Sequence, residues 1–343
     1  MKAAVLETPG LFAVKEVPIP ELESDEVLVR VAACGICHTD LHYIEHGVPT
    51  AKTPPIILGH EASGLIDAKG DRVRDFNIGD RVLLPAVLTC GRCRLCRSGR
   101  ENICESMKML GNHLDGAYAE FVKAPSRDLF RVPKNLSLQD ACIIADALST
   151  PFHAVRYRGQ VQPGDTVAVY GCGGVGLNVI QFCRLAGARV YAVDTNPSKL
   201  EFADELGADV LIDATQKEPD RMIRKETGGG VDVAFEVVGN PVVFKNAINS
   251  IRTGGRLVLV GYSPDEATLP AGKVMFREIE IRGSLGCRPV DYPIIIELAS
   301  AHKIELKSLI SHRLPLTDIK RAFELLKSGE SIRSVVIPGE EIV

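Results

Sequence analysis

The stretch TVAVYGCGGVGLNVIQFCRLAGARVYAVD, residues 166–194, decides how this chain is read. It opens on a short apolar run, turns through glycines, continues with apolar residues at helical period, and closes on a second apolar run ending in Asp194. That pattern predicts strand, tight turn, helix and strand, the unit from which parallel sheets are built. Gly171, Gly173 and Gly176 stand as G-x-G-x-x-G across the turn. In this setting the first glycine makes the turn, the second lets backbone approach a pyrophosphate, and the third brings helix and strand together. Gly174 and Val175 complete the loop, at a helix start whose free amides would face phosphates. Asp194 lies 23 residues after Gly171, and no arginine follows it in DTNPSK. A carboxylate there accepts hydrogen bonds from an adenosine ribose and repels a 2′-phosphate, so NAD is expected rather than NADP. The competing reading is a plain βα turn followed by a surface acid.

Outward from this unit the alternation continues. SKLEFADELGA reads as a helix stopped by Gly207, and VDVAFEVVG and GGRLVLVGY as further strands. An α/β doubly wound parallel sheet of Rossmann type is expected over 147–286. Before it lie short β-type runs broken by Gly and Pro: EVLVRVAA, PIILGHEASGLI, DRVLLPAV and GAYAEFVKAP. Such texture predicts a β-rich domain. After it come a helix at DIKRAFELLKSG and a last strand at RSVVIP. Residues 1–146 and 287–343 are therefore expected to form one domain, in keeping with a 343-residue chain too long for a single ordinary core.

Bulk composition excludes several classes. The chain is 45% hydrophobic and 24% charged, as soluble globular proteins are. A net charge of −4 and a pI near 6.1 argue against a nucleic-acid partner. No run approaches the roughly 18 apolar residues of a membrane span, and MKAAVLETPG lacks the apolar core of a signal peptide. No membrane partner and a cytoplasmic location are expected. Ten cysteines are many for a compartment that keeps thiols reduced, unless some bind metal.

Four of them crowd into CGRCRLCRSGRENIC, as Cys90, Cys93, Cys96 and Cys104. Four thiolates in a short loop suit a closed tetrahedral structural zinc, within a lobe at about 88–106. An iron–sulfur cluster and vacant reduced thiols are the alternatives. A second candidate centre draws on ACGICHTDLHYIEH (33–46) and LGHEASG (58–64). Cys37 and His60 are the soft and borderline ligands a zinc would take. Thr39 and His42 offer the hydroxyl and imidazole that could carry a proton away from a zinc-bound alcohol. Asp40 could orient a ligand histidine.

Together these residues resemble a zinc-dependent member of the medium-chain dehydrogenase/reductase superfamily, of the alcohol dehydrogenase type. G-H-E at 59–61, G-D-R-V at 79–82, the four-cysteine lobe, GCGGVG at 171–176 and IRSVVI at 332–337 fall in family order. The resemblance implies a GroES-like catalytic domain beside the Rossmann domain. It implies Cys37 and His60 as catalytic-zinc ligands, with Glu61 behind the metal and able to move in. It implies Lys199 and Arg333 at the adenosine ribose and the pyrophosphate, and Thr150 beside the nicotinamide. Val238, Val260, Gly261 and Leu285 are implied along the cofactor channel. Two zinc ions per subunit, one catalytic and one structural, follow from it, as does a homodimer or homotetramer joined through sheet edges near GGRLVLVGY and EIEIRGSL.

The third ligand departs from the commoner family pattern, in which it is cysteine. Asp146 stands at that position, four residues before Thr150 and 25 before Gly171, while Cys142 would break both spacings. The activity implied is hydride transfer from a secondary or cyclic alcohol to NAD. GVPTAKTPPIILGHEASG and ADALSTPFHAV also resemble dehydrogenases of 6-hydroxycyclohexene-carbonyl-CoA thioesters, for which Arg156 and Arg158 would have to serve the CoA. A non-catalytic NAD-binding protein is the distant alternative. Tyr43, Leu88, His113 and Leu114 are expected around the substrate.

Overall fold

The computed structural model describes residues 1–340, and 341–343, the end of the segment expected to close the first domain, lie outside the described residues. The chain divides into two compact units, Met1–Ser149 with Gly286–Val343, and Thr150–Leu285. The divisions fall after Ser149 and after Leu285.

In the second unit, Val167, Ala168, Val169 and Tyr170 are all buried. A strand covered on both faces needs such an unbroken apolar run. Thr166–Tyr170 is flanked by Arg189–Asp194 on one side and Val231–Glu236 on the other. Val210–Asp213 extends the sheet beyond the first neighbour, and Ile251–Leu259 then Glu280–Gly283 beyond the second. All these pairings are parallel. This is the Rossmann-type sheet. Strand order reverses beside Thr166–Tyr170, and such a switch point leaves a crevice at the carboxyl ends of the strands. The helix Gly174–Leu185 starts there, and Gly207 ends the next helix with φ near +98°.

In the first unit the long strand Glu26–Gly35 is the hub, buried along nearly its whole length. It pairs antiparallel with Glu61–Lys69, Phe121–Pro125 and Arg333–Ile337. PIILGHEASGLI and GAYAEFVKAP form strand over less of their length than the sequence suggests, and for one reason. PIILGHEASGLI breaks at 58–60, and GAYAEFVKAP becomes a strand only from Phe121. The amides of Gly116, Ala117 and Tyr118 donate to the carbonyls of Ile57, Gly59 and Leu58 at 2.7, 2.9 and 2.9 Å. The two interruptions thus satisfy each other. A Cβ on Gly116 would lie 2.2 Å from the Gly59 carbonyl oxygen, so only glycine admits the approach. Gly59 itself has φ near +95°, and this turn presents His60.

Candidate active site and metal centres

Cys37 caps the helix His38–Glu45 in an extended conformation, and His60 and Glu61 lead into the strand Glu61–Lys69. Asp146 follows the turn Cys142–Ala145. These four side chains place one donor atom each within 4.8 Å of all the others. Asp146 Oδ2 lies 3.8 Å from Cys37 Sγ and 3.7 Å from His60 Nε2. A tetrahedral zinc with ligands at 2.0–2.3 Å sets its donors roughly 3.3–3.8 Å apart, so the set fits zinc. Buried atoms left without a hydrogen-bond partner say the same. His60 Nε2 and Glu61 Oε2 are such atoms, and burying them unpaired would be costly.

The rest of the His60 ring explains its direction. Nδ1 faces Asp40 Oδ1 at 3.4 Å, which leaves Nε2 turned toward Cys37 and Asp146. Asp40 is fully buried, and the Tyr118 hydroxyl donates to its Oδ2 at 2.8 Å. The Gly59 amide reaches Asp40 Oδ1 at 3.3 Å. Burial works against the His60 imidazolium, but Asp40, Asp146 and Cys37 outweigh it and hold its pKa well above the ordinary value. The pocket therefore favours positive charge, as a cation site must.

Glu61 lies opposite Gly35 across the strand pair, and a Cβ on Gly35 would sit 2.1 Å from Glu61 Oε2. Burial pushes the Glu61 carboxyl up to about 7, with Arg333 opposing and Asp146 reinforcing the shift. Arg333 Nη1 donates to Glu61 Oε1 at 3.0 Å and to the Ile36 carbonyl at 2.9 Å. Arg333 is thus 5% exposed and tied to the metal site's second carboxylate. Cys142 is not part of the set. Its thiol donates to the Gln139 carbonyl, and burial keeps it protonated. Thr39 Oγ1 lies 3.6 Å from Cys37 Sγ, and His42 follows one turn along the same helix.

The second cluster is self-contained. Cys90, Cys93, Cys96 and Cys104 bring their sulfurs to 3.5–3.9 Å, against about 3.8 Å between thiolates on a tetrahedral zinc. The amides of Cys93, Cys96, Cys90 and Ser106 donate to sulfurs of the same loop at 3.3–3.4 Å. Backbone N–H groups hold Cys93 down to about 6, while burial and neighbouring sulfurs push Cys96 up to about 12. A coordinated cation would bring all four to thiolate. Among the described residues, these two clusters are the groups of three or more candidate ligands with such spacing.

In the other unit the three glycines have three separate reasons. Gly171 has φ near +103°, and a Cβ there would meet Val238 Cγ2 at 2.6 Å. A Cβ on Gly176 would lie 1.8 Å from the Gly171 carbonyl oxygen. Gly173, beside Gly174 and Val175 at the helix start, faces open space, the room a pyrophosphate would need. Asp194 accepts from the Cys172 amide at 2.6 Å and the Asn196 amide at 2.9 Å, so its carboxylate adjoins the loop. Lys199 lies in the helix Pro197–Glu205 just beyond. Glu236, which sequence reasoning missed, organises the opposite wall. Its Oε1 accepts from the Val238 and Gly239 amides, and its carbonyl from those of Val260 and Gly261. The signal available was an acid ending an apolar strand run, as at Asp194. Thr150 opens this unit and Leu285 closes it, the latter exposed.

The residues expected around the substrate are only partly gathered. Tyr43 is buried and accepts from the Asn112 amide at 2.5 Å. Leu88 and Leu114 line a groove with Ile56, Cys90 and Phe121, to which Cys37, His60, Glu61 and Asp146 do not contribute.

The matches with known proteins agree with this geometry. Residues 23–134 match the alcohol dehydrogenase GroES-like domain family and residues 174–301 the zinc-binding dehydrogenase family. An alcohol dehydrogenase from Geobacillus stearothermophilus is 36% identical over 98% of this chain and 99% of its own. The chain belongs to the zinc-dependent medium-chain dehydrogenase/reductase superfamily. An alcohol dehydrogenase from Thermus sp. ATN1 superposes with a TM-score of 0.92 at 34% identity, covering 98% of this chain and 99% of that one. A structure described as a zinc-binding dehydrogenase from Sinorhizobium meliloti 1021 bound to NADP gives 0.90 at 32%, over 98% and 99%. This superfamily member is a zinc-dependent alcohol oxidoreductase that uses a nicotinamide cofactor. Its first unit carries the GroES-like domain. Among the described residues no helix is long and apolar enough to cross a membrane.

Proposed function

We propose that this protein oxidises secondary or cyclic alcohols to ketones with NAD, holding a catalytic zinc at Cys37, His60 and Asp146 and a structural zinc at Cys90, Cys93, Cys96 and Cys104. The observation that carries this reading is the convergence of unpartnered His60 Nε2 on Cys37 Sγ and Asp146 Oδ2. When bound, zinc supplies a Lewis acid that lowers the pKa of a coordinated alcohol, and the nicotinamide supplies a hydride acceptor. Asp40, held by Tyr118, fixes the tautomer of His60. Thr39 accepts the alcohol proton at Oγ1 and passes it on, and His42 takes it toward solvent. Glu61, held off by Arg333, is a reserve carboxylate for the metal. One thiolate in the ligand set instead of two donates less charge, which makes the centre a stronger Lewis acid.

Asp194 supports NAD over NADP, since its carboxylate at the loop repels a 2′-phosphate. Lys199 meets the ribose, Thr150 the nicotinamide, and Val238, Val260, Gly261 and Leu285 the length of the cofactor. Arg333 holds Glu61 through Nη1 and meets the pyrophosphate through the rest of its guanidinium. The cytoplasm suits its reduced thiols. A homodimer or homotetramer is supported by the edge strand Glu280–Gly283, which pairs only with Ile251–Leu259 among the described residues. Two copies paired antiparallel about Ile281 would set Glu280 against Arg282, beside exposed Met275 and Phe276.

The test is a screen of alcohols and hydroxyacyl-CoA thioesters with NAD and NADP, followed by absorbance of the reduced nicotinamide. Secondary or cyclic alcohols with NAD should give the highest kcat/KM. A preference for thioesters by orders of magnitude would replace this substrate class. Nothing in the structure favours thioesters through Arg158, whose Nε donates to the Gly283 carbonyl at 2.7 Å.

A further inference from the structure

The helix His38–Glu45 bears Thr39 and His42, and its C-cap is a second imidazole, His46, one turn past His42. Nδ1 of His42 and Nδ1 of His46 face each other at 2.8 Å, with ring centroids 5.0 Å apart. His46 is exposed and His42 half-buried. Two imidazoles at i and i+4 share one helix face, the spacing at which a helix chelates a metal. Imidazole nitrogens suit borderline divalent ions. Burial and the neighbouring His46 hold the His42 imidazolium below its ordinary pKa, which leaves lone pairs for such an ion.

We propose that His42 and His46 form a third metal site, for a borderline divalent cation such as Ni2+ or Zn2+, whose occupation stops His42 from accepting a proton. Among the described residues no third candidate ligand joins the pair at the spacing of the two other clusters. Glu45, on the same turn, is engaged by Lys327 at 2.8 Å. The remaining coordination positions fall to water, so the ion exchanges with solution.

The switch follows from the two nitrogens of a neutral imidazole, one carrying a proton and one a lone pair. With His42 as the proton acceptor proposed above, its Nδ1–H donates to Nδ1 of His46 in the absence of an ion, and its Nε2 carries the lone pair. An ion on both Nδ1 atoms takes the lone pair there. The ring proton of His42 then moves to Nε2, where that of His46 already sits, and His42 has no acceptor left. This consequence for catalysis rests on His42 as the proton acceptor proposed above; the metal site does not.

Nickel alone, titrated into the zinc-loaded enzyme, is the probe. Wild type should take up one further equivalent with the resident zinc unreleased. His46→Ala should bind it more weakly by at least the roughly 10–100-fold that loss of a supporting group costs a metal site. Over the same range nickel should inhibit alcohol oxidation by wild type, reversibly on dialysis, and spare His46→Ala. Equal nickel affinity in the two proteins, or release of zinc in step with nickel uptake, would overturn the site. Uptake that depends on His46 without inhibition would keep the site, overturn the switch, and count against His42 as the proton acceptor.

Discussion

The two candidate metal centres hold their donors at similar spacings and are built in opposite ways. The four cysteines come from one loop, and the loop's own amides donate to its sulfurs. The other centre draws Cys37, the neighbours His60 and Glu61, and Asp146 from three separate places in the chain, and Asp40, Tyr118, Arg333 and Gly35 stand behind them. A loop that surrounds its metal is a folding device, since little else orders it. A centre whose donors are already placed by strand pairing is a chemical device, since its scaffold stands by other means. The first should fail in stability and the second in reactivity.

The strongest way to break this contrast is at the loop. Structural zinc contributes free energy to folding itself, so Cys93→Ser should lose the lobe's metal and about 5 kcal/mol, a Tm fall of roughly 10–20 °C. Calorimetry with metal analysis reads both, and an unmoved Tm with the metal gone would erase the distinction. At the other centre, His60→Ala should lower kcat/KM by about 10³-fold or more, roughly 4 kcal/mol, while Tm moves by only a few degrees. A collapse in Tm matching that of Cys93→Ser would make both centres structural. The finest test is Tyr118→Phe, which removes only the hydroxyl on Asp40. Zinc affinity at Cys37, His60 and Asp146 should fall about 10–100-fold and that of the cysteine lobe stay as it was, in competition with a chelator. Equal losses at both, or none, would deny Tyr118 its positioning role.

The same contrast explains what could be read early. The cysteine lobe and the glycine turn were legible because their parts are near neighbours along the chain. Gly171, Gly173, Gly176 and Asp194 are joined by one strand, one helix and one further strand. The candidate ligands Cys37 and His60 were legible by chemical type, and Asp146 by spacings that put it at the third-ligand position the family resemblance implies. The supporting residues were not. Tyr118 reads as part of an ordinary strand run, GAYAEFVKAP, until its amide is seen on the Leu58 carbonyl. Nothing in ACGICHTDLHYIEH sets Gly35 apart until Glu61 Oε2 is found where its Cβ would stand.

By itself the sequence determined the alternating strands and helices, the dinucleotide turn, the four-sulfur lobe and the candidates Cys37 and His60, because periodicity, glycine placement and ligand type are read over short separations. Only the tertiary structure decided how those ligands are held. The C-terminal strand pairs Val335 with Gly35 and so brings Arg333 to Glu61, across almost the length of the chain. The interlock of 57–59 with 116–118 turns His60 and seats Tyr118 against Asp40. Contacts of that range are fixed by which strands pair and in what register, and one strand's own residues do not name its partner.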